Sequence, residues 1–368
     1  MVEDIFRACW GGEVTVHNDP VEVPACQRYF LIPGRDGPRW VVPCESGYGL
    51  SVLANWRPYS LRARLSWAAL LQCYRIGLLR SIPGIRTVGV EVGSRSGYPS
   101  PEEVTPVIYV GTPGPSRKLV ATLVDRISQK PLSLFKAPLG PQARNKIVYE
   151  YKVLSRLAKT HANIGPKPLD VDPDHGIAYQ EVVTGIQGQR GMLPEYIEVL
   201  ACLKTGEMLD MPVWSERMTQ LIGQLSDIEN KDNAVLIKML NDTAKLGRLP
   251  AVRVHGDFMP WNIIHSSHGN IILVDWEDSI ESGLPLFDLV YFHTMSAELF
   301  GYAPFHSKFI SSARLYLSYL GIPPSSLSTL SRACLVLDWW RSYRDKGRAQ
   351  RSSWLLSLME RYTKDGLL

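Results

Sequence analysis

Apolar residues in the first half of the chain fall into short runs bounded by turn residues, a pattern that predicts strands. The runs lie at 106–110, 119–124, 132–136 and 177–183. Residues 142–157 carry apolar side chains three and four positions apart, which is the spacing of an amphipathic helix. We therefore predict that residues 85–184 form a small antiparallel sheet with one helix.

The second half of the chain is dominated by helical spacing of its apolar residues. Helices are predicted at 196–204, 214–228, 232–246, 307–320 and 325–358. Short apolar runs interrupt this pattern at 249–254, 263–265 and 271–274, and a turn rich in Ser, Gly and Asn joins the last two into a predicted hairpin. Residues 185–368 are thus predicted to be a mainly helical domain, after a Gly- and Gln-rich linker at 184–194 that suits a hinge.

Residues 1–84 are predicted to be an ordered accessory region that packs on the small sheet domain. Two apolar runs flank a turn rich in Pro and Gly at 33–38 and predict a hairpin. A helix is predicted at 60–79, with Ser60 as its N-cap. Its predicted apolar side consists of Leu61, Leu65, Ala68, Ala69 and Leu71. Core packing is favoured over an exposed stacking surface for the tryptophans Trp10, Trp40, Trp56 and Trp67.

The composition is that of a globular protein long enough for two or three domains, with 368 residues, 45% hydrophobic and 21% charged. A net charge of +4 without a long basic run does not indicate a nucleic-acid partner, and the basic stretch at 341–351 is interpreted as a solvated helix end. Six scattered cysteines indicate a reducing compartment. Because the N-terminus lacks a leader pattern and the longest apolar stretch is too short to span a bilayer, we expect a cytoplasmic protein. The sequence does not indicate an oligomeric state.

The most informative polar segment lies between the predicted helical regions. His255-Gly256-Asp257 is followed by Asn262, and Asp275 comes just after the predicted hairpin. Phosphoryl transfer from a nucleotide needs such a set: one carboxylate accepts the proton of the attacking hydroxyl, while an amide oxygen and a second carboxylate hold Mg²⁺. Asp257 and Asn262 have the separation of the kinase pattern H-R-D-x-x-x-x-N. A purely structural turn is the alternative, and the hairpin context argues against it.

The whole pattern, HGD, four residues, Asn, an apolar strand and Asp275-Trp276-Glu277, resembles the aminoglycoside phosphotransferase and choline kinase family. An Asp at the start of the next predicted helix, Asp288, adds to the resemblance, which covers about residues 100–345. It implies an α+β, two-lobed protein-kinase-like fold. The implied division is an N-terminal accessory region at 1–84, a small antiparallel β-sheet lobe at 85–184 and a mainly helical large lobe at 185–368.

By this resemblance, the residues of the motif have expected roles. Asp257 is the expected catalytic base, which takes the proton of the acceptor hydroxyl or orients it. Asn262 and Asp275 are expected Mg²⁺ ligands, because small hard cations take oxygen ligands. His255 and Asp288 are expected to support the catalytic loop and not to react.

The resemblance also implies a nucleotide site in the small lobe. Lys136 on a predicted strand is expected to contact the phosphates, and Glu150 on the predicted helix is expected to orient it. A solvated edge-strand Lys and a solvated helix Glu are the alternative. The main chains of Glu181 and Val183 are expected to hydrogen-bond the adenine ring.

Two glycines complete the predicted nucleotide-binding set. Gly111 and Gly114 lie in the loop 111–118, between two predicted strands. The loop matches neither G-x-x-x-x-G-K-[ST] nor G-x-G-x-x-G. A phosphate cover and an ordinary hairpin loop therefore remain as alternatives.

The function predicted from these residues is transfer of the γ-phosphate of ATP, or of GTP, to a hydroxyl of a small molecule with Mg²⁺ as cofactor. The acceptor classes are a sugar or glycan precursor, an aminoglycoside and an amino-alcohol. A catalytically inactive nucleotide-binding or scaffold module is the competing function. A protein kinase is disfavoured, because Gly256 stands where an Arg would read a phosphorylated activation loop.

Several side chains near the motif are candidates for acceptor binding. The acidic candidates for a cationic acceptor are Glu277, Asp278, Glu281 and Asp338. Trp339 and Trp340 offer π faces to a quaternary amine, but packing of their helix is the favoured interpretation.

Overall fold

A long antiparallel sheet forms the centre of the N-terminal half of the computed structural model, which describes residues 1–18, 26–34, 36–56, 58–93, 100, 102–161, 163–225, 230–301, 303–344 and 349–365. In the described residues its strands are β1 (Val14–His17), β2 (Gln27–Gly34), β3 (Gly37–Pro43), β4 (Arg86–Val92), β5 (Val104–Val110), β6 (Lys118–Asp125), β7 (Pro131–Pro138), β8 (Pro168–Asp172) and β9 (Ile177–Gln180). Their order is β1-β4-β2-β3-β5-β6-β7-β9-β8. Arg35, in the turn of the predicted first hairpin, lies outside the described residues.

Helices pack on both faces of this sheet. The described helices of this region are α1 (Val2–Trp10), α2 (Ser46–Leu53), α3 (Leu61–Arg75) and α4 (Ala143–Thr160). Side chains alternate between the two faces of a strand, so the neighbours Leu31 and Ile32 of β2 belong to different cores. Trp10 of α1 joins the first core, whereas Leu53 of α2 and Tyr74 of α3 join the second.

The remaining described strands form two smaller sheets. They are β10 (Gly185–Gln187), β11 (Lys204–Asp210), β12 (Arg248–Val254), β13 (Ile263–Ser266), β14 (Ile271–Leu273) and β15 (Ile280–Gly283). Their orders are β10-β13-β14 and β11-β12-β15. β13 and β14 form the predicted hairpin, in which Ser266 N donates to Asn270 O at 2.9 Å. Asn262 ends a short 3-10 helix directly before β13, and Asp275 follows soon after β14.

Helices make up most of the C-terminal half. In the described residues they are α5 (Pro194–Cys202), α6 (Met211–Gly223), α7 (Asn230–Leu240), α8 (Phe287–Phe300), α9 (Ser307–Leu320), α10 (Leu327–Arg344) and α11 (Ala349–Asp365). The predicted helix at 307–320 is confirmed. The predicted helix at 214–228 starts earlier and ends at Gly223, and residues 226–229 lie outside the described part. The predicted region 325–358 contains two helices, with 345–348 outside the described part.

The strand β11 was missed by the sequence prediction, which extended a helix to residue 204 and left 205–210 unassigned. Most of its side chains are exposed. Its pairing with β12 is also interrupted by an irregularity between Lys204 and Met208. A strand without an apolar face has no alternation in sequence from which it can be recognised.

The chain divides into two units, each continuous in space but not in sequence. The first is Met1–Gln187 with Ile264–Glu277, and the second is Gly188–Ile263 with Asp278–Leu368. The first contains the large sheet with its helices, and the second contains the helices from α5 to α11, so the predicted α+β class is confirmed. No helix in the described ranges is long and apolar enough to cross a bilayer.

The predicted accessory region shares the large sheet with the predicted small lobe. β3 pairs with β5, and Trp40 lies opposite Tyr109. Trp40, Trp56 and Trp67 form a cluster whose ring centroids are 4.6 to 6.0 Å apart, in agreement with core packing. The predicted boundaries at residues 84 and 184 stay predictions, because compactness alone groups the chain differently.

Helix α3 is present, but its predicted apolar side is only partly correct. Leu71 packs against the second core, whereas Ala68 and Ala69 are exposed. Ser60 caps the helix as predicted, accepting from Ala63 N at 3.1 Å. Leu61 and Leu65 are 73% and 65% exposed, whereas Tyr74 is buried and donates to Pro43 O at 2.6 Å. The larger aromatic side chain buries more apolar area and satisfies its hydroxyl, so it decides which face of α3 packs. The helix also ends at Arg75, before a short 3-10 turn.

Candidate functional site

A buried ion pair joins β7 to α4 in the first unit. The Lys136 ammonium lies 2.7 Å from both carboxylate oxygens of Glu150. Lys136 is 5% exposed and Glu150 is 2% exposed. β7 is an interior strand between β6 and β9, so the alternative of a solvated edge-strand Lys is excluded. The structure therefore contains the predicted ion pair. Removal of either partner would leave the other as an unpaired buried charge.

Asp275 belongs to the same cluster of charges. Its Oδ1 accepts from Lys136 Nζ at 3.2 Å and from Lys118 Nζ at 2.6 Å. The next residue, Trp276, donates its backbone N–H to Glu150 Oε1 at 3.2 Å. Asp275 has a φ of 69°, a left-handed conformation that non-glycine residues adopt rarely and often at functional sites.

Lys118 is a member of this cluster that the sequence interpretation left in a loop. It is the first residue of β6, where it pairs with Pro138, and Val120 pairs with Lys136. Since side chains alternate along a strand, Lys118 and Lys136 project from the same face of adjacent strands. Strand register is the signal that would have found Lys118, but register cannot be read from composition.

Glu277, a candidate for acceptor binding from the sequence, completes the cluster. Its Oε2 accepts a short hydrogen bond from Lys118 Nζ. Its Oε1 lies 3.8 Å from Lys146 Nζ, on α4. Glu277 is therefore paired with lysines of the first unit, and a role in acceptor binding stays a prediction.

Charges within the cluster determine its protonation. Burial opposes ionisation of Asp275, but the lysines Lys118 and Lys136 outweigh it and hold the pKa of Asp275 well below its usual range. Burial also opposes ionisation of Lys118, yet Asp275 and Glu277 raise the pKa of its ammonium. Burial raises the pKa of Glu277, against the opposing effect of Lys118. The cluster therefore combines ammonium groups with at least one carboxylate that stays ionised at neutral pH.

The loop between β5 and β6 is held by main-chain hydrogen bonds. Gly111 N donates to Lys118 O at 2.8 Å, and a Cβ on Gly111 would lie 2.8 Å from that same oxygen. Arg117 O accepts from the backbone N–H groups of Leu139 and Gly140 at 2.9 and 2.8 Å. Gly114, with φ of 152°, has open space where a Cβ would be. A phosphate-covering role for this loop stays a prediction.

The predicted adenine-binding segment directly follows β9. Glu181 N donates to Lys167 O at 2.9 Å, and Lys167 N donates to Glu181 Oε1 at 2.9 Å. The N–H of Glu181 is therefore committed, and an adenine contact of its main chain would use the carbonyl. Val183 lies beyond the last residue of β9, where its backbone N–H and C=O do not pair with a neighbouring strand.

In the second unit, a carboxylate on α8 holds the turn that follows β12. Asp288 Oδ2 accepts from His255 N at 2.7 Å, and its Oδ1 accepts from Gly256 N at 2.9 Å. His255 is fully buried, and its Nδ1 accepts from Asp257 N at 3.3 Å. Burial raises the pKa of Asp288, opposed by His255 and by these backbone donors. This geometry agrees with the expected supporting roles of His255 and Asp288.

Gly256 is required by the local backbone. Its φ is 84°, and a Cβ there would lie 2.1 Å from Asp278 O. Arg341 of α10 donates to both carbonyls, at 3.3 Å to Gly256 O and 2.9 Å to Asp278 O. An Arg cannot replace Gly256 here, because no side chain fits between the two segments.

Asp257 is held by neutral donors. Asn262 Nδ2 donates to Asp257 Oδ2 at 2.8 Å and to Asp257 O at 2.9 Å. The Tyr291 hydroxyl donates to Asp257 Oδ1 at 2.9 Å. Tyr291 was missed by the sequence interpretation, although it stands three residues after Asp288 and therefore on the same side of α8.

A second missed residue is Arg351, which the sequence interpretation placed at a solvated helix end. It is 5% exposed, forms a short ion pair with Asp338 and lies 2.5 Å from Glu298. Its guanidinium carbon lies 5.0 Å from the centre of the Tyr291 ring. Asp338 is thus paired in the interior, whereas the exposed Glu281 lies 3.6 Å from Arg253. Acceptor binding by either residue stays a prediction.

The tryptophans after Asp338 pack as favoured: Trp339 is 1% exposed and stacks on Tyr343. The packing interpretation therefore holds for Trp339. The guanidinium of Arg344 lies 5.8 Å from the Trp340 ring centre, so a cation of the chain itself already approaches that ring.

The oxygens of Asp275 and Glu277 fit a divalent cation. Asp275 Oδ1 and Glu277 Oε2 converge on one cationic atom, Lys118 Nζ. Carboxylate oxygens are the ligands that Mg²⁺ prefers. Within the described ranges, no group of three or more His, Cys, Asp or Glu side chains has a metal-binding arrangement. A Mg²⁺ ion here would therefore take other ligands from an amide, from phosphate or from water, as this ion usually does.

A sequence profile of the phosphotransferase enzyme family (APH) matches residues 105–305, more than half of the chain. The chain belongs to the phosphotransferase enzyme family. The match includes the described β7, α4 and α8 and the motif from His255 to Asp288. The predicted family is confirmed, and the chain has the predicted α+β class. No curated protein sequence matches the chain.

Solved structures similar to this phosphotransferase-family chain differ in the substrates that their names carry. An apo structure of the aminoglycoside phosphotransferase APH(4)-Ia is 12% identical, with 72% of this chain and 95% of that chain covered and a TM-score of 0.48. The choline kinase LicA from Streptococcus pneumoniae is 17% identical, with 69% and 94% covered and a TM-score of 0.44. The macrolide 2′-phosphotransferase MphH from Brachybacterium faecium is 13% identical, with 70% and 86% covered and a TM-score of 0.47. At these identities the similarity assigns no substrate to the present chain.

Proposed function

We propose that this member of the phosphotransferase enzyme family transfers the γ-phosphate of ATP to a hydroxyl of a small molecule. The observation that carries the proposal is that Lys136 contacts both Glu150, in a buried pair, and the partly exposed Asp275. Burying charged side chains is costly unless they pair with each other. Carboxylates whose pKa is strongly shifted are concentrated at functional sites. Family membership supports the reaction class, and the cluster is the proposed binding place for the polyphosphate.

The nucleotide end of the proposed reaction relies on charge. Lys136, oriented by Glu150, binds the phosphates, and the carbonyl of Glu181 with the N–H of Val183 binds the base. Asn262 and Asp275 would hold Mg²⁺, which would neutralise the negative charge of the phosphates. These two main-chain groups also decide whether the adenine of ATP or the guanine of GTP is bound.

The acceptor end relies on Asp257. Its carboxylate takes the proton of the acceptor hydroxyl while the oxygen forms a bond to the γ-phosphorus. The bond from that phosphorus to the bridging oxygen breaks, and ADP leaves with the electron pair. A group in this position acts mainly in the transition state, where alignment and charge decide the rate.

Tyr291 and Asn262 position that base. Their donors occupy one oxygen each of the Asp257 carboxylate, at 2.9 and 2.8 Å. Two neutral hydrogen bonds fix the orientation of a carboxylate without cancelling its charge. Asp288 in turn fixes the backbone before Asp257 through two hydrogen bonds.

The competing function, an inactive nucleotide-binding or scaffold module, is disfavoured by the same geometry. An inactive module does not need an oriented Asp257, and this chain has one together with the contacts of Lys136 with Glu150 and Asp275. Protein kinase activity is disfavoured because Gly256 cannot be exchanged for the Arg that reads an activation loop.

Turnover in the presence of an acceptor panel tests the proposal. Purified protein is mixed with Mg-ATP and sugars, amino-alcohols or aminoglycosides, and both ADP and the phosphorylated acceptor are measured. We expect acceptor-dependent ADP formation that Asp257→Asn abolishes. Protein that binds Mg-ATP but forms ADP at the same rate with and without every acceptor, in wild type and in Asp257→Asn alike, would favour the inactive module.

A further inference from the structure

Lys118 is a buried lysine for which the proposed reaction has no role so far. Its side chain is 12% exposed, and its ammonium contacts Asp275 Oδ1 at 2.6 Å and Glu277 Oε2 at a shorter distance. Its main chain is fixed, because Lys118 O accepts from Gly111 N at 2.8 Å. Only the side chain is therefore available to change position.

The two lysines of the cluster have different sets of partners. Lys136 is held by both oxygens of Glu150, at 2.7 Å each, and touches Asp275 at the longer distance of 3.2 Å. Lys118 contacts the two carboxylates that fit a divalent cation, Asp275 and Glu277. Lys136 thus keeps a dedicated partner when Asp275 takes another ligand, whereas Lys118 loses its partners.

A divalent cation and the Lys118 ammonium compete for the same oxygens. Both need Asp275 Oδ1, which already accepts from Lys118 at 2.6 Å and from Lys136 at 3.2 Å. A divalent cation on this oxygen would add a third positive charge, and the nearer ammonium, that of Lys118, would be repelled most strongly. Nucleotide phosphates, which arrive with the metal, offer the displaced ammonium new anionic partners. The exchange keeps every charge paired before and after binding.

We propose that Lys118 is the counter-ion of the Asp275 and Glu277 carboxylates in the nucleotide-free protein and moves to the nucleotide phosphates when the metal–nucleotide complex binds. This inference rests on the proposed function for its second half. Its first half, the competition between Lys118 and a metal ion, concerns only the chain's own residues.

Metal binding without nucleotide tests the first half. Free Mn²⁺ is measured by its paramagnetic resonance signal in titrations of wild type, Lys118→Met and the control Lys130→Met, which removes a charge from an exposed residue of the same unit. We expect Lys118→Met to bind Mn²⁺ roughly tenfold more tightly than both other proteins, the scale of one charged hydrogen bond. Equal affinities of all three proteins would overturn the proposal.

A reciprocal variant tests the second half and covers a failure of Lys118→Met to fold. Glu277→Gln weakens the hold on Lys118, so it is expected to raise the affinity for metal-free ATP, measured by calorimetry, by about fivefold to tenfold. Adenosine, which lacks phosphates, is expected to bind both proteins equally. An equal gain for ATP and adenosine, or no gain for ATP, would overturn the move to phosphate.

The double variant separates a specific exchange from a general loss of negative charge. If Lys118 is the group released, adding Lys118→Met to Glu277→Gln removes the gain in ATP affinity. A gain that persists in the double variant contradicts the proposal. If wild type binds no nucleotide at all, the proposed function fails, while the Mn²⁺ titration still decides whether Lys118 competes with metal.

Discussion

Two regions of the molecule hold their acidic side chains in opposite ways. Around Asp275, in the first unit, carboxylate oxygens are contacted by the ammonium groups of Lys118 and Lys136. Around Asp257, in the second unit, the donors are neutral: a Tyr hydroxyl, an Asn amide and, for Asp288, backbone N–H groups.

The difference shows what each region is able to do. A metal ion can replace an ammonium group beside a carboxylate, and a phosphate can replace a carboxylate beside an ammonium group. The region around Asp275 therefore suits binding of a charged ligand. Neutral donors orient a carboxylate and leave its charge available, so the region around Asp257 suits proton transfer. Substitutions in the first region are therefore expected to change affinity, and those in the second to change turnover.

The largest effect is expected from Asp257→Asn. The substitution keeps shape and hydrogen bonding but removes basicity, so kcat should fall by roughly a hundredfold to ten-thousandfold. Nucleotide affinity, measured by calorimetry with Mg-ADP, should stay unchanged, since the lost group acts in the transition state. A variant with weakened nucleotide affinity and normal kcat would break the contrast between the two regions.

Loss of Glu150 should destabilise the first region strongly. Glu150→Gln leaves the buried Lys136 ammonium without its dedicated carboxylate, and breaking such a pair costs about 3 kcal/mol in the free energy of unfolding. Denaturant unfolding provides the measurement. The double variant with Lys136→Met is expected to recover part of the loss, because it removes the unpaired charge. A double variant less stable than Glu150→Gln would show that the pair is not the cause.

Asp275→Ala should remove the effect of metal on nucleotide affinity. Wild type is expected to bind ATP roughly tenfold to a hundredfold more tightly with Mg²⁺ than without it, the scale of charge-assisted contacts. In the variant the two affinities should become equal. Titrations with Mg²⁺ and with a chelator provide the comparison, and a variant that keeps the Mg²⁺ effect would show that Asp275 is not a ligand.

The smallest effect is expected from Tyr291→Phe, which removes one neutral donor from Asp257. We expect kcat to fall about threefold to tenfold while the Michaelis constant for nucleotide stays constant. In an Asp257→Asn background the same substitution should have no further effect, because its role depends on that carboxylate. An equal fall of kcat in both backgrounds would show that Tyr291 acts elsewhere.

The sequence allowed prediction of those parts of the site that have a fixed spacing along the chain. Asp257, Asn262 and Asp275 were found because a motif and a hairpin specify them, and the structure has that hairpin. Lys136 and Glu150 were found because one strand and one helix follow each other closely. Their ion pair is present, whereas their roles stay predictions.

The parts that were missed depend on register or on distant contacts. Lys118 enters the cluster through strand pairing, which puts it on the face of Lys136. Arg351 becomes buried because it pairs with Asp338 across two helices, so its charged neighbourhood in sequence was misleading. The exposed leucines of α3 were also mispredicted, because the buried Tyr74 decides which face of this helix packs.

The most direct test of the central claim follows γ-phosphate-labelled ATP in a single turnover with Mg²⁺, wild type and Asp257→Asn, and acceptors from the panel together with water. The account predicts that wild type transfers label to an acceptor hydroxyl. It also predicts that Asp257→Asn, with unchanged nucleotide affinity, does so at least roughly a hundredfold more slowly. Transfer at equal rates by both proteins, or a wild-type protein that neither binds Mg-ATP nor releases label, would contradict it.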